Sequence, residues 1–513
     1  MKTAATASDR WNAFPARASI GPLAQLVLVG GAAFFVYLVA IVGGGAAMAM
    51  LAIGATAIFV VWRWPFVGLM ALVVFGPPHQ FLMVLVLHFS GSAMILKAAQ
   101  LWKDAFLAVL LARAIDRSFR RKQSPTVYLL DLGIVIFLAM SALYLLFPNQ
   151  LEGATLLSKL LGLRADTFFL LAYFVGRGLA LSRQQVRLLL LGFALMSVII
   201  AVVAVAQFVA PGLTNLIFDQ LGLAEFTVVQ AGLGATSVAV RENNFGGFVI
   251  PRASSLVLSD LALGFYTLLA APLAGALFLH FPRLRNRLVA NALLLAIIGT
   301  TFLTVTRSAI IALAPSLGTI FFRARGFFLA ALVLVELGFA VAPVAYKLNV
   351  TPDVIRLVVS PDEGSIQGHL RSIQESVQII KEHPLGRGLG TSGQVAQVTD
   401  VQGAITNEDW YLQIATEIGI APAVVFALIV LGFGVVAFQQ YGRVGDPWVR
   451  ALCLGMGGAT IGFGLVGISL HVWEAQTISI VFWLFAGIVA RAPAIDRDGN
   501  ESRGGTRAHR GLA

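Results

Sequence analysis

The sequence predicts an all-α, polytopic membrane protein, a bundle of about 12–14 transmembrane helices with a large loop outside that carries an amphipathic helix. Three observations lead there. Of 513 residues, 58% are hydrophobic and only 12% charged, against roughly 25% charged in a soluble domain. Mean hydropathy is +0.86. Apolar runs of the ~20 residues that cross a hydrocarbon core recur along almost the whole chain.

Those runs place spans at 24–43, 45–62, 66–88, 94–113, 128–147, 166–182, 188–209, 261–280, 288–305, 308–322, 327–345, 411–438, 449–470 and 475–490. The membrane domain is thus 22–490, with a basic cytoplasmic tail over 1–21 and a Gly- and Arg-rich disordered tail over 491–513. Pro77, Pro78 and His79 lie inside the third run and predict a kinked or re-entrant segment.

Charge gives the orientation. The net charge of +11 resides in short clusters between apolar runs, for example Arg117, Arg120 and Arg121, Arg283, Arg285 and Arg287, or Arg323 and Arg325. No continuous basic face for nucleic acid results. With both termini in the cytoplasm, each of these clusters falls inside, as the positive-inside rule requires. Two long segments then fall outside, 210–260 and 346–410. Loops of that length are uncommon unless functional. In the second, Ile366, Leu370, Ile373, Val377 and Ile380 repeat at helical spacing. Gly386, Gly388 and Gly390 follow. With no strand before them, they read as a tight, flexible loop rather than a dinucleotide turn.

The candidate chemistry lies at the outer ends of spans. Arg307, in Thr306-Arg307-Ser308, is either a snorkelling anchor or part of an anion socket. Arg252, Arg164 and Arg371 fall on the same side, and converging guanidinium groups suit a diphosphate. Glu408 and Asp409 open the run at 411, where a carboxylate is either an N-cap or a catalytic group. Asp260 is a weaker candidate of the same kind. His383 and His471 read as structural, and the lone Cys453 as a buried apolar residue. No metal-ligand spacing occurs.

These residues carry a likeness. The run from Arg371 through His383-Pro384-Leu385-Gly386-Arg387-Gly388-Leu389-Gly390, then Glu408-Asp409-Trp410-Tyr411-Leu412-Gln413 and Glu417-Ile418-Gly419, resembles the O-antigen ligase and O-antigen (exopolysaccharide) polymerase superfamily. Thr306-Arg307-Ser308 resembles that family's Ser-Arg-(Ser/Gly) at a periplasmic helix end. The similarity covers roughly 250–440.

The resemblance implies a bacterial inner-membrane, metal- and cofactor-independent glycosyltransferase. Its substrates would be a polyprenyl-diphosphate-linked glycan and an acceptor glycan, with membrane lipids and other polysaccharide export proteins around it. Arg252 and Arg307 would hold the leaving diphosphate with help from Arg371, and a general base would deprotonate the acceptor. Many ligases place His-Asn where Glu408-Asp409 stands here. That difference favours a polymerase of repeat units, with Glu408 as base and Asp409 as cap, over a ligase. A flippase is the alternative from another class, but no internal repeat of the transporter kind is evident.

Overall fold

The computed structural model describes residues 45–121, 129–227, 242–336 and 364–497, apart from a few positions inside those ranges. The N-terminal tail, the span at 24–43, the second half of the span at 327–345, all of 498–513 and the first part of the 346–410 segment lie outside the described residues.

The described chain is a helical bundle. Its helices are α1 (Gly45–Arg63), α2 (Pro65–Phe75), α3 (His79–Ser90), α4 (Ala93–Gln100), α5 (Trp102–Arg121), α6 (Leu129–Leu143), α7 (Leu156–Thr167), α8 (Leu171–Gly178) and α9 (Arg183–Val209). After a small antiparallel hairpin, β1 (Glu242–Phe245) and β2 (Phe248–Pro251), come α10 (Asp260–His280), α11 (Leu284–Leu303) and α12 (Arg307–Arg323). The last group is α13 (Gly364–Glu382), α14 (Gly393–Val398), α15 (Trp410–Ile418), α16 (Ile420–Arg443), α17 (Pro447–Val466) and α18 (Gln476–Ala490).

Five of these, α9, α10, α11, α16 and α17, are long and apolar enough to span a membrane. The pair 52–63 and α2 would make a sixth span, bent by 114°. Local chemistry sets their ends. Ser182 and Gln185 form a capping box on α9. Ser259 caps α10, and Asp446 caps α17 with Pro447 in the first turn.

Several runs that read as single spans are broken. The 66–88 run turns at Gly76–Pro78, between α2 and α3. The 166–182 run is divided by a 3-10 turn at Phe168–Leu170. The 411–438 run breaks at Gly419, whose φ of 92° is open to glycine but strained for other residues. The start of the C-terminal tail is also ordered: Ala492 and Ile495 are buried, and Asp496 pairs with Arg183 at 2.7 Å.

The core is built on α10, buried over most of its length against α17. Small residues permit the approach: a Cβ on Gly455 would lie 2.8 Å from the Leu273 Cα. The ends of the bundle differ in kind. At one, Arg323 and Arg450 lie over the Tyr441 ring and Arg187 over Trp448. The basic clusters of the sequence are gathered there. The loops entering α10, α12, α15 and α18 meet at the opposite, polar end, where α7 and α13 also lie.

The α8–α18 contact is close enough to test. A Cβ on Gly487 would fall 2.0 Å from the Tyr173 carbonyl oxygen, and one on Gly176 would fall 2.1 Å from that of Leu484. Both obstacles are backbone, so the helices must separate. Gly487→Ala should cost about 1–3 kcal/mol, as overpacking does. Gly432→Ala, with open space at its Cβ, should leave thermal unfolding in detergent unchanged. Equal melting temperatures for the two variants would contradict this packing.

Candidate functional site at the polar end

The glycine-rich turn is tight, as expected, but it is buried and pinned. Gly386, Gly388 and Gly390 have φ of 81°, 114° and 70°. The turn caps the C-terminal carbonyls of α15: Arg387 N–H donates to the Thr416 oxygen at 2.9 Å and Gly388 N–H to the Glu417 oxygen at 2.8 Å. A Cβ on Gly386 would sit 2.4 Å from the Glu417 carbonyl oxygen, and one on Gly390 2.4 Å from that of Ser158. These backbone approaches require glycine. They also argue against a phosphate cradle, because the amides of Gly390 and Ser392 donate to the Glu417 carboxyl at 2.9 and 3.0 Å.

Glu417 belongs to a group of acids that sequence reading gave no role. Its carboxyl lies against that of Asp166, both of whose oxygens are buried. Burial, then the neighbouring Glu417 and Glu474 charges, hold Asp166 well above the usual carboxylate range. Burial pushes Glu417 up to about 8, against the two amide hydrogen bonds. Glu474 accepts from Gln413 Nε2 at 2.7 Å. The sequence signals for this group were an acid inside or beside an apolar run and, for Glu417, its place in the Glu417-Ile418-Gly419 likeness.

Nearer the surface, Asp409 caps α15, accepting from Leu412 N–H at 3.0 Å. Burial raises its carboxyl to about 6, against hydrogen bonds from the Leu412 and Tyr411 amides. Glu408 points elsewhere, and its Oε2 lies 2.6 Å from Nδ1 of His369 on α13. The hydrogen bond from His369 is the main influence holding Glu408 below the usual range, with the His369 and His471 charges adding to it against burial. Sequence reading passed over His369, which lies far from Glu408 along the chain. His471, expected to be structural, is hydrogen-bonded with Gln394 at 2.9 Å and acts electrostatically on both Glu408 and Glu474.

Helix α13 does not pack as its apolar periodicity suggests. Leu370 and Ile373 are 46% and 37% exposed. The buried residue is Ser376, which donates to the Asn407 side chain. Polar pairings, Ser376 with Asn407 and His369 with Glu408, seat the helix on the entrance to α15. Arg371 is exposed on α13.

The arginines divide into groups. Arg252 forms an ion pair with Asp260 and donates from Nε to the Thr304 carbonyl oxygen at 2.8 Å and from Nη2 to Thr306 Oγ1 at 3.2 Å. It thereby clamps the Thr304–Thr306 turn, where Val305 has a φ of 53°, a strained value for a β-branched residue. Arg307 follows as the first residue of α12, within electrostatic reach of Arg252. The next residue, Ser308, is joined to Ser469 at 3.0 Å, and the Gly467 carbonyl accepts from Trp410 N–H at 3.0 Å. The 467–471 loop thus links the Arg307 turn to the Asp409–Trp410 entrance. Arg164 belongs to another group, its Nη2 2.6 Å from Asp104 Oδ2.

His383 ends α13, and Cys453 is buried, as expected. Among the described residues no cluster of His, Cys, Asp and Glu has metal-binding geometry. Comparison with protein-family models finds no matching family, and comparison with curated proteins finds no match.

The Glu417 carboxyl has a testable pH signature. Its folded value of about 8 lies above the ordinary 4.5. Its contribution is therefore fully present below about pH 4.5 and lost as pH rises through about 8. The melting temperature should fall between those values, and the slope should flatten in Glu417→Gln. That variant should also be destabilised by about 1–3 kcal/mol at low pH, because its NH₂ faces an amide donor. An unchanged slope would contradict the assignment.

Proposed function

We propose that this protein is a membrane glycosyltransferase that extends a glycan carried on a polyprenyl diphosphate, at the polar end of its bundle. The observation that carries this reading is the placement of the Arg307 turn and the Glu408–His369 pair on either side of the 467–471 loop. One side suits a leaving diphosphate and the other an acceptor hydroxyl. The likeness of these segments to O-antigen polymerases and ligases supports the same assignment.

In the proposed reaction, the acceptor hydroxyl oxygen attacks the anomeric carbon of the lipid-linked sugar. The bond to the diphosphate oxygen breaks, and the electron pair leaves with the diphosphate. Arg307 offers its guanidinium fork to the charge developing there. Arg252, engaged with Asp260 and the turn, is a positioning residue for Arg307. The acceptor proton goes to His369. In this proposal the imidazole takes the proton at Nε2, and the ionised Glu408, facing Nδ1, orients the ring and stabilises the imidazolium. This revises the expectation that Glu408 is itself the base.

His369 also bears on the ligase reading. The ligase-type pattern calls for a histidine, and α13 supplies one beside Glu408. Transfer to a lipid or protein acceptor is therefore the second reading, with the same residues. In reconstituted vesicles, longer glycans mark a polymerase and a glycan on a new acceptor a ligase. Movement without bond formation would mark a flippase and overturn both.

The basic end of the bundle is assigned to the cytoplasm of a bacterial inner membrane, and the polar end to the outside. A cysteine at exposed Gln374 of α13, with Cys453→Ala, should react with an impermeant thiol reagent in intact spheroplasts. Labelling only after lysis would reverse the orientation.

Arg307→Ala should lower the initial rate of glycan transfer by roughly 10²–10³-fold, as loss of a transition-state donor does. Arg307→Lys should recover little of it. His369→Gln should cost roughly 10²–10⁴-fold, the usual worth of a general base. Asp409→Asn, which keeps the cap, should stay close to wild type. An active His369→Gln beside a dead Glu408→Gln would return the base to the carboxylate. Activity in both would remove the mechanism.

A further inference from the structure

A second polar group lies across the end of α7 from the acids. It joins His79 at the start of α3, Trp102, Lys103 and Asp104 at the start of α5, and Arg164 in the last turn of α7. His79 and Lys103 are 5% and 7% exposed. The Arg164 side chain is 39% exposed and connects the group to the surface.

Donor chemistry makes this group unusual. Trp102 Nε1–H donates to His79 Nδ1 at 3.0 Å. An indole can only donate, so Nδ1 is the acceptor and a neutral ring carries its proton on Nε2. That Nε2–H faces Lys103 Nζ at 3.4 Å. An ammonium also can only donate. Two donors therefore converge with no acceptor between them. Among the described residues Lys103 makes one further hydrogen bond, donated to the Gln100 carbonyl oxygen at 3.2 Å. Its neighbour Asp104 is turned to Arg164. Two cations thus share one carboxylate, and the buried ammonium has only neutral hydrogen-bonding partners. Buried ammonium groups are costly without a counter-charge.

We propose that His79, Lys103 and Arg164 form a binding site for a phosphate-type oxyanion, separate from the Arg307 turn. One oxygen seated beside both His79 Nε2–H and the Lys103 ammonium converts the donor conflict into two hydrogen bonds, one of them charge-assisted. The same anion adds a second negative charge where two cations share the single Asp104 carboxylate. Arg164, at the open side, contributes its fork to a second oxygen. Asp104 Oδ1 is buried without a hydrogen-bond partner, so the anion that suits the site also carries a hydroxyl. Hydrogen phosphate, a sugar phosphate and a glycerol-bearing phospholipid headgroup share that chemistry.

The test reads His79 directly. Full-length protein with ¹⁵N-imidazole-labelled histidines is placed in phosphatidylcholine nanodiscs and titrated with inorganic phosphate. The resonance lost in His79→Gln should shift. Lys103→Met should weaken the response at least about tenfold, as loss of a charged hydrogen bond does. Lys103→Arg should retain it, which separates lost charge from lost folding. Arg307→Ala should leave it unchanged, so this result stands apart from the fate of the transferase reading. A shift present in phosphatidylglycerol nanodiscs before phosphate is added assigns the site to a lipid headgroup; a shift only with phosphate assigns it to a soluble ligand. No shift in any arm, or an equal response in Lys103→Met, overturns the proposal.

Discussion

The polar end depends on one buried carboxyl. Glu417 accepts the amides of Gly390 and Ser392, lies against the buried Asp166 carboxyl, and sits where α15 ends. It therefore ties α7, the glycine turn and α15 together below the surface. Arg387 acts electrostatically on Glu417, yet burial still holds both carboxyls above the usual range, so protonation is what makes the Asp166–Glu417 pair tolerable in the interior. The conformation follows from this. The glycine turn must approach α15 backbone to backbone, and only residues without a Cβ allow that at 386 and 390.

This anchor sets the geometry above it. Because α15 is held at its C-terminal end by the glycine turn and capped by Asp409 at its start, Glu408 leaves the helix in a fixed direction, toward α13. Beneath lies an aromatic layer of Phe169, Trp410, Phe426 and Trp473, with Phe169 and Trp473 stacked at 5.9 Å. Such a layer keeps water from the bundle interior and stiffens the floor of the site. The α12 entrance is braced differently, through Arg252 and Asp260 around a strained Val305.

What was legible in the sequence was what periodicity and charge determine. The helical bundle, the long apolar helices near 183–209, 260–280 and 420–443, and the grouping of basic loops follow from composition along the chain. The cap at Asp409 was legible because capping is local. The break at Gly76–Pro78 was legible from its prolines, but the one at Gly419 was not, because the 411–438 run stays apolar through Gly419 while a tertiary contact at Glu417 turns the chain. The partner of Glu408 was hidden for a related reason: α13 presents His369 and Ser376 to α15 and leaves Leu370 and Ile373 outward. Hydrophobic periodicity names the wrong face when polar pairings seat a helix. All four arginines read from the sequence as outward charges on one side, yet their carboxylate neighbours place Arg164 with Asp104 and Arg252 with Asp260.

The contrast between the two ends gives these placements their meaning. At the basic end, Arg323 and Arg450 stack on Tyr441 and Arg187 on Trp448, arrangements that tolerate water, and one non-glycine residue there, Arg325, takes a positive φ. At the polar end, Ser255, Leu258 and Val305 take positive φ, acids are buried beside acids, and donors face donors. Each of these features works against stability. Strain and uncompensated polarity persist only where the surrounding fold enforces them, and they collect at sites that bind or react. The last turn of α7 stands between the two most polarised groups, with Arg164 directed to the cations, the Ala165 carbonyl to Gln476 and Asp166 to the acids. A rotation of that turn would disturb both groups together, so the sign of charge on either side of α7 is held by a single piece of backbone.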